Sequence, residues 1–289
     1  MNDSPLTMIA AHAHPDDESS KGGATMAKYA AEGIRVVVAT FTGGERGDVL
    51  NPKFPDDREL LADLPAVRRR EMAQAAAILG VEQRFLGFVD SGLPEGDPLP
   101  PLPEGSFASL APEVAAEPLV ELIRQVRPQV VTTYDPSGGY PHPDHVQTHR
   151  ATVRALELAA DPAFRPDLGE PFTVHKIYYD QAFSLDRIKA IHQAMTERGI
   201  ESPYDEWLRE RPKRQLNKQR ITTQVRVPEF FSVRDAALRA HASQVDPDGW
   251  FFVAPRDIEA EVWPHEDFEL VSSTVPVTIP EDDLFAGLR

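Results

Sequence analysis

Residues 6–18 read LTMIAAHAHPDDE, a short apolar run that ends abruptly in a polar cluster. The apolar part, residues 6–13, has the length of a buried β-strand, and HPDD follows it directly at positions 14–17. Residues 21–32 then show the spacing of a helix, and residues 35–41 (RVVVATF) form a β-branched run typical of a buried strand. A strand, a helix and a second strand in this order indicate a parallel pair joined by a crossover helix.

The same alternation continues through the first half of the chain. It predicts further helices over residues 65–80, 113–126 and 144–160, and further strands over residues 83–89 and 129–134. We therefore predict an α/β fold with a Rossmann-like, mostly parallel sheet and flanking helices. In such a sheet the polar loops that follow the strands meet at one edge and form one crevice.

The second half of the chain is less regular. It predicts strands over residues 174–183 and 221–227, helices over 185–198 and 232–243, a charged helical or loop segment over 202–218, and a tail over 280–289. We expect a catalytic, metal-binding domain over residues 1–170. Residues 171–289 are expected to form a C-terminal α/β portion that completes or caps the sheet and lines the substrate crevice.

The composition excludes several classes of function. The chain of 289 residues has 30 Lys and Arg against 46 Asp and Glu, which gives a formal net charge of −16. Nucleic acids and anionic membranes bind basic surfaces, so we expect neither as a partner. The chain has no cysteine, which excludes disulfides, zinc–thiolate sites, iron–sulfur clusters and thiol nucleophiles.

No segment of the sequence has the pattern of a targeting or membrane signal. The N-terminus lacks the basic start and the long apolar core of a signal peptide. The apolar runs are far shorter than the roughly 20 residues that span a bilayer. With 41% hydrophobic and 26% charged residues, the sequence is typical of a cytoplasmic protein.

Two polar clusters at predicted strand ends carry residues that bind metals. His14 and Asp17 follow the first strand with a spacing of three, and His142 and His145 follow a later strand with the same spacing. Two imidazoles and one carboxylate form an open site suited to Zn²⁺ or Fe²⁺, with positions left for water and substrate. The alternative is a structural role, in which Asp17 and Asp144 cap the helices that follow them.

Each cluster is part of a longer motif: HAHPDDE at 12–18 and, more than a hundred residues later, YPHPDH at 140–145. Together they resemble the two signatures of the LmbE-like, or GlcNAc-PI de-N-acetylase-like, metal amidohydrolases. The resemblance covers nearly the whole chain and is strongest to the branch that acts on mycothiol S-conjugates. It includes SSKG at 19–22, TGGERG at 42–47, LGFVDSGLP at 86–94 and RAHASQ at 239–244.

The resemblance implies roles for individual residues of the two motifs. His14, Asp17 and His145 match the zinc ligands of the family. Asp16 matches its general base, and His142 matches the imidazole that stabilises the oxyanion or protonates the leaving amine. Because Asp16 adjoins Asp17, one carboxylate would bind the metal while the other takes a proton from water.

Further residues are matched by the family's pattern around these motifs. Asp144 matches the residue that orients His142, and a buried carboxylate there would favour the protonated imidazole. Tyr140 matches a tyrosine near the scissile amide. The positions that hold the sugar–inositol part of the substrate are matched by Asp48, Arg68 and Asp90.

Lys21 lies four residues after Asp17, on the first turns of the predicted helix. The amidase branch resembles this sequence in having a lysine here, and we expect Lys21 to contact a polar part of the longer amidase substrate. The alternative for Lys21 is an ordinary exposed lysine. His12 and His241 likewise have two interpretations, a role beside the site or simple packing in the core.

The resemblance implies a zinc-dependent amidase, with Fe²⁺ as the second candidate metal, that acts on a small thiol–sugar conjugate. Its products would be an N-acetylcysteine S-conjugate and glucosaminyl-inositol, which amounts to detoxification. Two alternatives stay open: a deacetylase of N-acetylglucosaminyl-inositol, and a sugar-binding protein without catalysis. A nucleotide-binding enzyme is disfavoured because the glycines of residues 43–47 match neither GxGxxG nor GxxxxGK.

Overall fold

A computed structural model describes residues 5–55, 57, 62–210 and 220–289 of the chain. Its strands are β1 (Thr7–His12), β2 (Arg35–Thr42), β3 (Glu82–Phe88), β4 (Val130–Thr133), β5 (Lys176–Asp180), β6 (Thr223–Arg226) and β7 (His265–Ser273). Its α-helices are α1 (Asp17–Ser20), α2 (Gly23–Ala31), α3 (Leu64–Leu79), α4 (Pro112–Val126), α5 (Pro143–Ala160), α6 (Leu185–Glu197), α7 (Tyr204–Glu210), α8 (Phe231–Ala240) and α9 (Arg256–Val262).

The strands form a seven-stranded sheet in the order β3-β2-β1-β4-β5-β7-β6. Neighbouring strands from β3 to β5 are parallel, and Ile9 of β1 pairs with Val37 of β2 on one side and with Val131 of β4 on the other. β7 runs antiparallel to both β5 and β6. The predicted α/β class is therefore confirmed, and strands of the C-terminal half complete the sheet.

The centre of the sheet is buried on both faces, as expected of parallel strands covered by helices. Every residue of β1 is buried, and successive side chains enter different cores. Met8 and Ala10 pack with residues of α2 and the C-terminal elements. Ile9 and Ala11 pack on the opposite face with residues of α4 and α5. Two layers of helices thus hold β1 and the loop that follows it.

The segment predicted as one helix over residues 21–32 is broken near its start. α1 ends at Ser20, Lys21 has an extended backbone, and Gly22 adopts a left-handed φ of 77° before α2 begins. A side chain at Gly22 would bring its Cβ to 3.4 Å from Asp180, so glycine suits both the conformation and the close approach. The break leaves Lys21 close to the polar residues of the preceding turn.

The C-terminal part contains elements that the sequence did not predict, namely α9 and β7. The prediction of a tail over residues 280–289 is wrong, because Leu284 and Phe285 are fully buried in the core and the ring of Phe285 packs edge-on against Tyr29. Two adjacent apolar residues after an acidic stretch carry no helical or strand period, so the pattern gave no sign of their burial. Of the segment 202–218, residues 211–218 lie outside the described residues.

The domain boundary expected at residue 170 stays a prediction, since strands from both sides of it share the sheet through the β4–β5 pairing. Among the helices of the described residues, none is both long and apolar enough to cross a membrane.

Candidate metal centre and active site

The two histidine clusters meet at the carboxyl ends of β1 and β4. The first cluster follows β1 directly, and the second leads into α5, whose first turn contains His145. The ring centroid of His14 lies 5.3 Å from that of His145 and 4.6 Å from that of His142. β1 lies between β2 and β4, where the strand order reverses, and this is the place at which such sheets bind ligands.

His14, Asp17 and His145 form a compact donor set around one carboxylate oxygen. Oδ2 of Asp17 lies 3.5 Å from Nδ1 of His14 and 3.4 Å from Nε2 of His145. In a tetrahedral site with bonds of about 2.0–2.1 Å, ligand atoms lie about 3.3–3.4 Å apart. Both distances from Oδ2 of Asp17 match this spacing, and the three residues form a group that could hold a metal ion.

The hydrogen bonds of His145 leave Nε2, the nitrogen that faces Asp17, free for a metal. Its Nδ1 lies 2.9 Å from the carbonyl oxygen of Gly138, to which it donates. Its Nε2 is buried without a hydrogen-bond partner among the described residues. Metal-bound histidines usually donate their other nitrogen in this way. Gly138 has a left-handed φ of 76°, and any Cβ there would lie 2.7 Å from Cβ of His145, so only glycine allows this approach.

Carboxylates surround His14. Its Nε2 lies 3.2 Å from Oδ2 of Asp144 and 3.6 Å from Oδ1 of Asp90. Burial by itself lowers the pKa of His14, but hydrogen bonds to Asp144, Asp17 and Asp90 raise this pKa well above 6.5. Because Nε2 faces Asp144, Nδ1 is the nitrogen that faces Asp17. The local excess of negative charge suits a cation at this place.

Asp17 is also held by Tyr134 and Lys21. The hydroxyl of Tyr134 donates to Oδ2 of Asp17 over 2.6 Å and accepts from the backbone N–H of Ala13. Nζ of Lys21 lies 2.5 Å from Oδ1 of Asp17, and the side chain of Lys21 is only 11% exposed. The alternative of an ordinary exposed lysine is therefore wrong. Sequence reasoning missed Tyr134, whose only signal was a polar aromatic residue at a strand end.

Asp16 has an unusual backbone and a raised pKa. Its φ of 110° lies in a region that residues with side chains rarely adopt. Burial and the neighbouring charge of Asp17 raise the pKa of Asp16 to about 6. A carboxylate with a pKa just below neutral is suited to accept and release a proton. Non-glycine residues persist in such a conformation only where the surrounding structure fixes them.

Glu18 and His241 fix the backbone of Asp16. Oε2 of Glu18 accepts the N–H of Asp16 over 3.0 Å, and Oε1 lies 2.7 Å from Nε2 of His241. Both side chains are fully buried. Burial opposes the charge of each, but their pairing raises the pKa of His241 and lowers that of Glu18. His241 thus lies behind Asp16, and sequence reasoning did not identify Glu18 at all.

His142 differs from the prediction in its charge. Burial and the nearby imidazoles of His14 and His145 lower the pKa of His142 to about 3, so the ring is neutral, whereas we expected Asp144 to favour its protonated form. Nδ1 of His142 accepts the backbone N–H of Asp144 over 3.1 Å. The proton of the neutral ring therefore resides on Nε2, which can donate a hydrogen bond.

The contact between Asp144 and His142 is made by the backbone of Asp144. The fully buried carboxylate of Asp144 instead places Oδ2 near His14 and accepts the N–H of Ser91 over 2.9 Å. We expected the carboxylate of Asp144 to orient His142. In the structure the side chain of His142 instead caps the start of α5 by accepting the backbone N–H of Asp144.

Arg68, Asp48 and Asp90 all border the same crevice, but two of them already have partners in the chain. The guanidinium of Arg68 is buried and donates to the carbonyl oxygens of Gly44 and Asp48. The carboxylate of Asp90 accepts the N–H groups of Arg46 and Gly92. These contacts shape the loop after β2, while the side chain of Asp48 is exposed.

The crevice opens into a cavity of about 730 Å³. Tyr140 stands on its border, 48% exposed, with its ring edge-on to His145 at 4.6 Å. Residues of the C-terminal half, which we expected to line the crevice, border this cavity too, although the sequence singled out none of these four aromatic residues: Phe183, Trp207, Trp250 and Phe251. The cavity has the size of a site for a small organic molecule.

His12 is fully buried and does not border that cavity. Its ring packs edge-on against Tyr134 at 5.8 Å, and neither ring nitrogen has a hydrogen-bond partner among the described residues. Burial lowers the pKa of His12 to about 4, so the ring is neutral. His12 therefore packs behind the tyrosine that holds Asp17.

Residues 9–156 match the model of the GlcNAc-PI de-N-acetylase (PIG-L) family, and the chain belongs to this family. The chain is 54% identical over 286 residues to a mycothiol S-conjugate amidase of Streptomyces coelicolor, with 98% of each chain covered. It is 39% identical to a 1D-myo-inositol 2-acetamido-2-deoxy-alpha-D-glucopyranoside deacetylase of Streptomyces scabiei, covering 97% of this chain and 89% of the relative.

The fold is shared with N,N'-diacetylchitobiose deacetylase of Pyrococcus horikoshii. The TM-score is 0.63 at 20% identity, over 92% of this chain and 83% of the other. At this identity the likeness concerns the fold alone.

Proposed function

We propose that the protein is a zinc-dependent amidase that hydrolyses mycothiol S-conjugates to an N-acetylcysteine S-conjugate and glucosaminyl-inositol. The observation that carries this proposal is the donor set of His14, Asp17 and His145 beside Asp16, at the border of a large cavity. The high identity to the Streptomyces coelicolor amidase over nearly the full length of both chains supports the choice of substrate. The deacetylase relatives are less similar, which supports the amidase over the deacetylase.

The metal would be held by Nδ1 of His14, Oδ2 of Asp17 and Nε2 of His145. A bound Zn²⁺, or Fe²⁺ in the same donor set, would supply Lewis-acid activation of water and of the amide carbonyl. Tyr134 and Lys21 contribute by contacting the carboxylate of Asp17, which keeps it ionised and fixed in direction. Burial would raise the pKa of Asp17, but Lys21 and His145 hold it well below its usual range.

Asp16 is the general base of the proposed reaction. With a pKa of about 6, its carboxylate is mostly ionised at neutral pH and can take a proton from the attacking water. The oxygen of that water bonds to the amide carbon, the C–N bond then breaks, and the amine leaves with a proton supplied by Asp16. Both transfers use one carboxyl group, so Asp16 is regenerated after each cycle.

His142 is the group that stabilises the negative charge on the amide oxygen. As a neutral imidazole with its proton on Nε2, it donates a hydrogen bond without carrying a charge of its own before the substrate arrives. A fixed donor of this kind lowers the barrier to acyl transfer because it needs no reorganisation during the reaction. Tyr140, beside His145, is placed to contact the substrate near the scissile bond.

The sugar–inositol part of the substrate is assigned to the polar residues that line the cavity. Asp48 is exposed there, and Arg68 and Asp90 fix the loop that presents it. Lys21 is a further polar contact for the substrate, since it borders the same cavity. The protein is expected to work in the cytoplasm on this small molecule, without nucleic acid or membrane as partner.

A paired assay tests this function. We expect kcat/KM for a mycothiol S-conjugate to exceed that for N-acetylglucosaminyl-inositol by at least about tenfold, since the cavity extends beyond the room that an acetyl group needs. Protein is purified with and without oxygen, and metal content is measured on each sample. Preference for the acetylated sugar would identify a deacetylase, and binding without any turnover by metal-loaded protein would identify a sugar-binding protein.

A further inference from the structure

The cavity is lined by two chemically different groups of residues. One group is polar and includes Asp16, Arg46, Asp48 and Arg68 from the first half of the chain. The other group, which we call the aromatic wall, consists of Phe183, Trp207, Trp250 and Phe251. Each of these four side chains is partly buried and partly open to the cavity. A ligand that fills the cavity must therefore present a polar part and an apolar part at once.

The rings of the aromatic wall pack against one another and against a buried core cluster. Trp250 packs edge-on against Tyr204 at 4.7 Å and lies 5.9 Å from Trp207, while Phe183 lies 6.2 Å from Phe251. Tyr204 is itself buried in a core cluster that α6 and α9 complete. A wall supported in this way is formed before the ligand binds, so little ordering entropy is lost on binding.

We propose that the aromatic wall binds the S-linked group of the conjugate and makes the enzyme select aromatic and other flat apolar S-substituents. The inference rests on the proposed amidase function. The sugar–inositol part carries hydroxyl groups that need hydrogen-bond partners, and the polar residues that line the cavity can supply them. The S-linked group varies from one conjugate to another, so only contacts that depend on apolar area rather than on fixed hydrogen bonds can accept it.

Two conjugates that differ only at sulfur, S-benzyl and S-methyl mycothiol, test this assignment. For the wild type we expect kcat/KM to be at least about tenfold higher with the S-benzyl conjugate, because a phenyl ring buries far more apolar area than a methyl group. Trp250→Ala and Phe251→Ala are expected to lower kcat/KM at least about tenfold for S-benzyl and no more than about threefold for S-methyl.

Phe252→Ala is the matched control. Phe252 belongs to the same short helical turn, Trp250–Phe252, but its ring packs against the guanidinium of Arg239 and does not border the cavity. This variant should keep the wild-type ratio between the two conjugates. Phe251→Leu and Trp250→Leu provide the same comparison with milder loss of packing, should an alanine variant fail to fold.

A second measurement needs no turnover. Calorimetric titration of the metal-loaded wild type should show tighter binding of N-acetyl-S-benzylcysteine than of N-acetyl-S-methylcysteine by about tenfold, and the Trp250 and Phe251 variants should remove this difference. Equal losses of kcat/KM for both conjugates would show that the wall holds the sugar, and unchanged kcat/KM values for both conjugates would show that it holds neither part. Either result overturns the assignment while amide turnover persists, whereas the absence of turnover on both conjugates would overturn the amidase function itself.

Discussion

At the scale of the residue, the most unusual feature is the backbone of Asp16. A left-handed conformation costs a non-glycine residue of order 1–3 kcal/mol, and it persists here because Glu18 accepts the N–H of Asp16 while His241 fixes Glu18. Both Asp16 and its neighbour Asp17 border the cavity, and in the proposed reaction the two carboxylates have different tasks. We therefore expect Glu18 to act as a positioning residue for Asp16, the proposed base.

Replacement of Glu18 tests this role. Glu18→Ala should lower kcat at least about tenfold with KM changed by less than about threefold, because a misdirected base affects the reaction more than substrate binding. Glu18→Gln keeps an oxygen that can accept the N–H of Asp16 and should restore most of kcat. Amide hydrogen exchange at Asp16 should accelerate in the alanine variant only.

Glu281→Ala is the control for that experiment. Glu281 is likewise buried and ion-paired, with Lys176 at 2.6 Å, but it belongs to the C-terminal segment. We expect it to lower the free energy of unfolding without lowering kcat of the folded protein. Metal content is measured on every variant, and a normal kcat for Glu18→Ala with metal bound would contradict the positioning role.

At the scale of the element, three helices of the C-terminal half are joined by one buried carboxylate. Glu259 of α9 is fully buried and contacts Arg187 of α6, Arg234 of α8 and Arg256 of its own helix. Burial by itself would raise the pKa of Glu259, but the three guanidinium groups lower it strongly. The network connects α6 and α9, the two helices that follow Phe183 and Phe251 of the aromatic wall along the chain.

Glu259→Gln should lower the free energy of unfolding at pH 7 by about 3–5 kcal/mol, because three arginines lose their common counter-charge. The folded-state pKa lies below the unfolded value of 4.5, so the contribution is complete above pH 4.5 and is lost as the pH falls toward the folded pKa. In urea unfolding, the difference between wild type and variant should therefore shrink between about pH 5 and pH 3.

Glu261→Gln on the same helix is the matched control. Glu261 is 65% exposed and pairs with Arg198, so its loss should cost less than about 1 kcal/mol. A similar cost for both variants would mean that the buried network contributes nothing special to stability.

At the scale of the whole molecule, the last residues described pack into the core and do not form an exposed tail. Phe285 packs on Tyr29 of α2, whose hydroxyl donates to Asp283 and accepts the N–H of Leu284. The last residues thus cover the face of the sheet opposite α4 and α5, where Met8 and Ala10 of β1 lie. Their contacts hold the strand that precedes the first of the proposed metal ligands.

Phe285→Ala should lower the free energy of unfolding by about 3–5 kcal/mol, since a fully buried ring is replaced by a cavity. Phe85→Ala on the edge strand β3 is the control, because that ring is 37% exposed and loses much less packing. Chemical denaturation of both variants gives the comparison. A cost for Phe285→Ala no larger than that for Phe85→Ala would show that the C-terminal segment is not part of the stabilising core.

The parallel sheet and the position of the site follow from local sequence patterns. Periodicity is local, so β1, β2 and a helical segment between them could be predicted, although the break at Lys21 and Gly22 could not. The rule that parallel strands end at one edge brought His14 and His145 together in advance. Residue type alone limited the metal ligands to nitrogen and oxygen, because the chain has no cysteine.

The contacts that hold these residues and set their charges come from the folded chain. Glu18 meets His241 across 223 positions, and Tyr134 meets Asp17 across 117, contacts that no local pattern encodes. The neutral state of His142 depends on its burial among other imidazoles, which spacing along the chain cannot supply. The aromatic wall likewise exists only because distant segments fold onto one cavity.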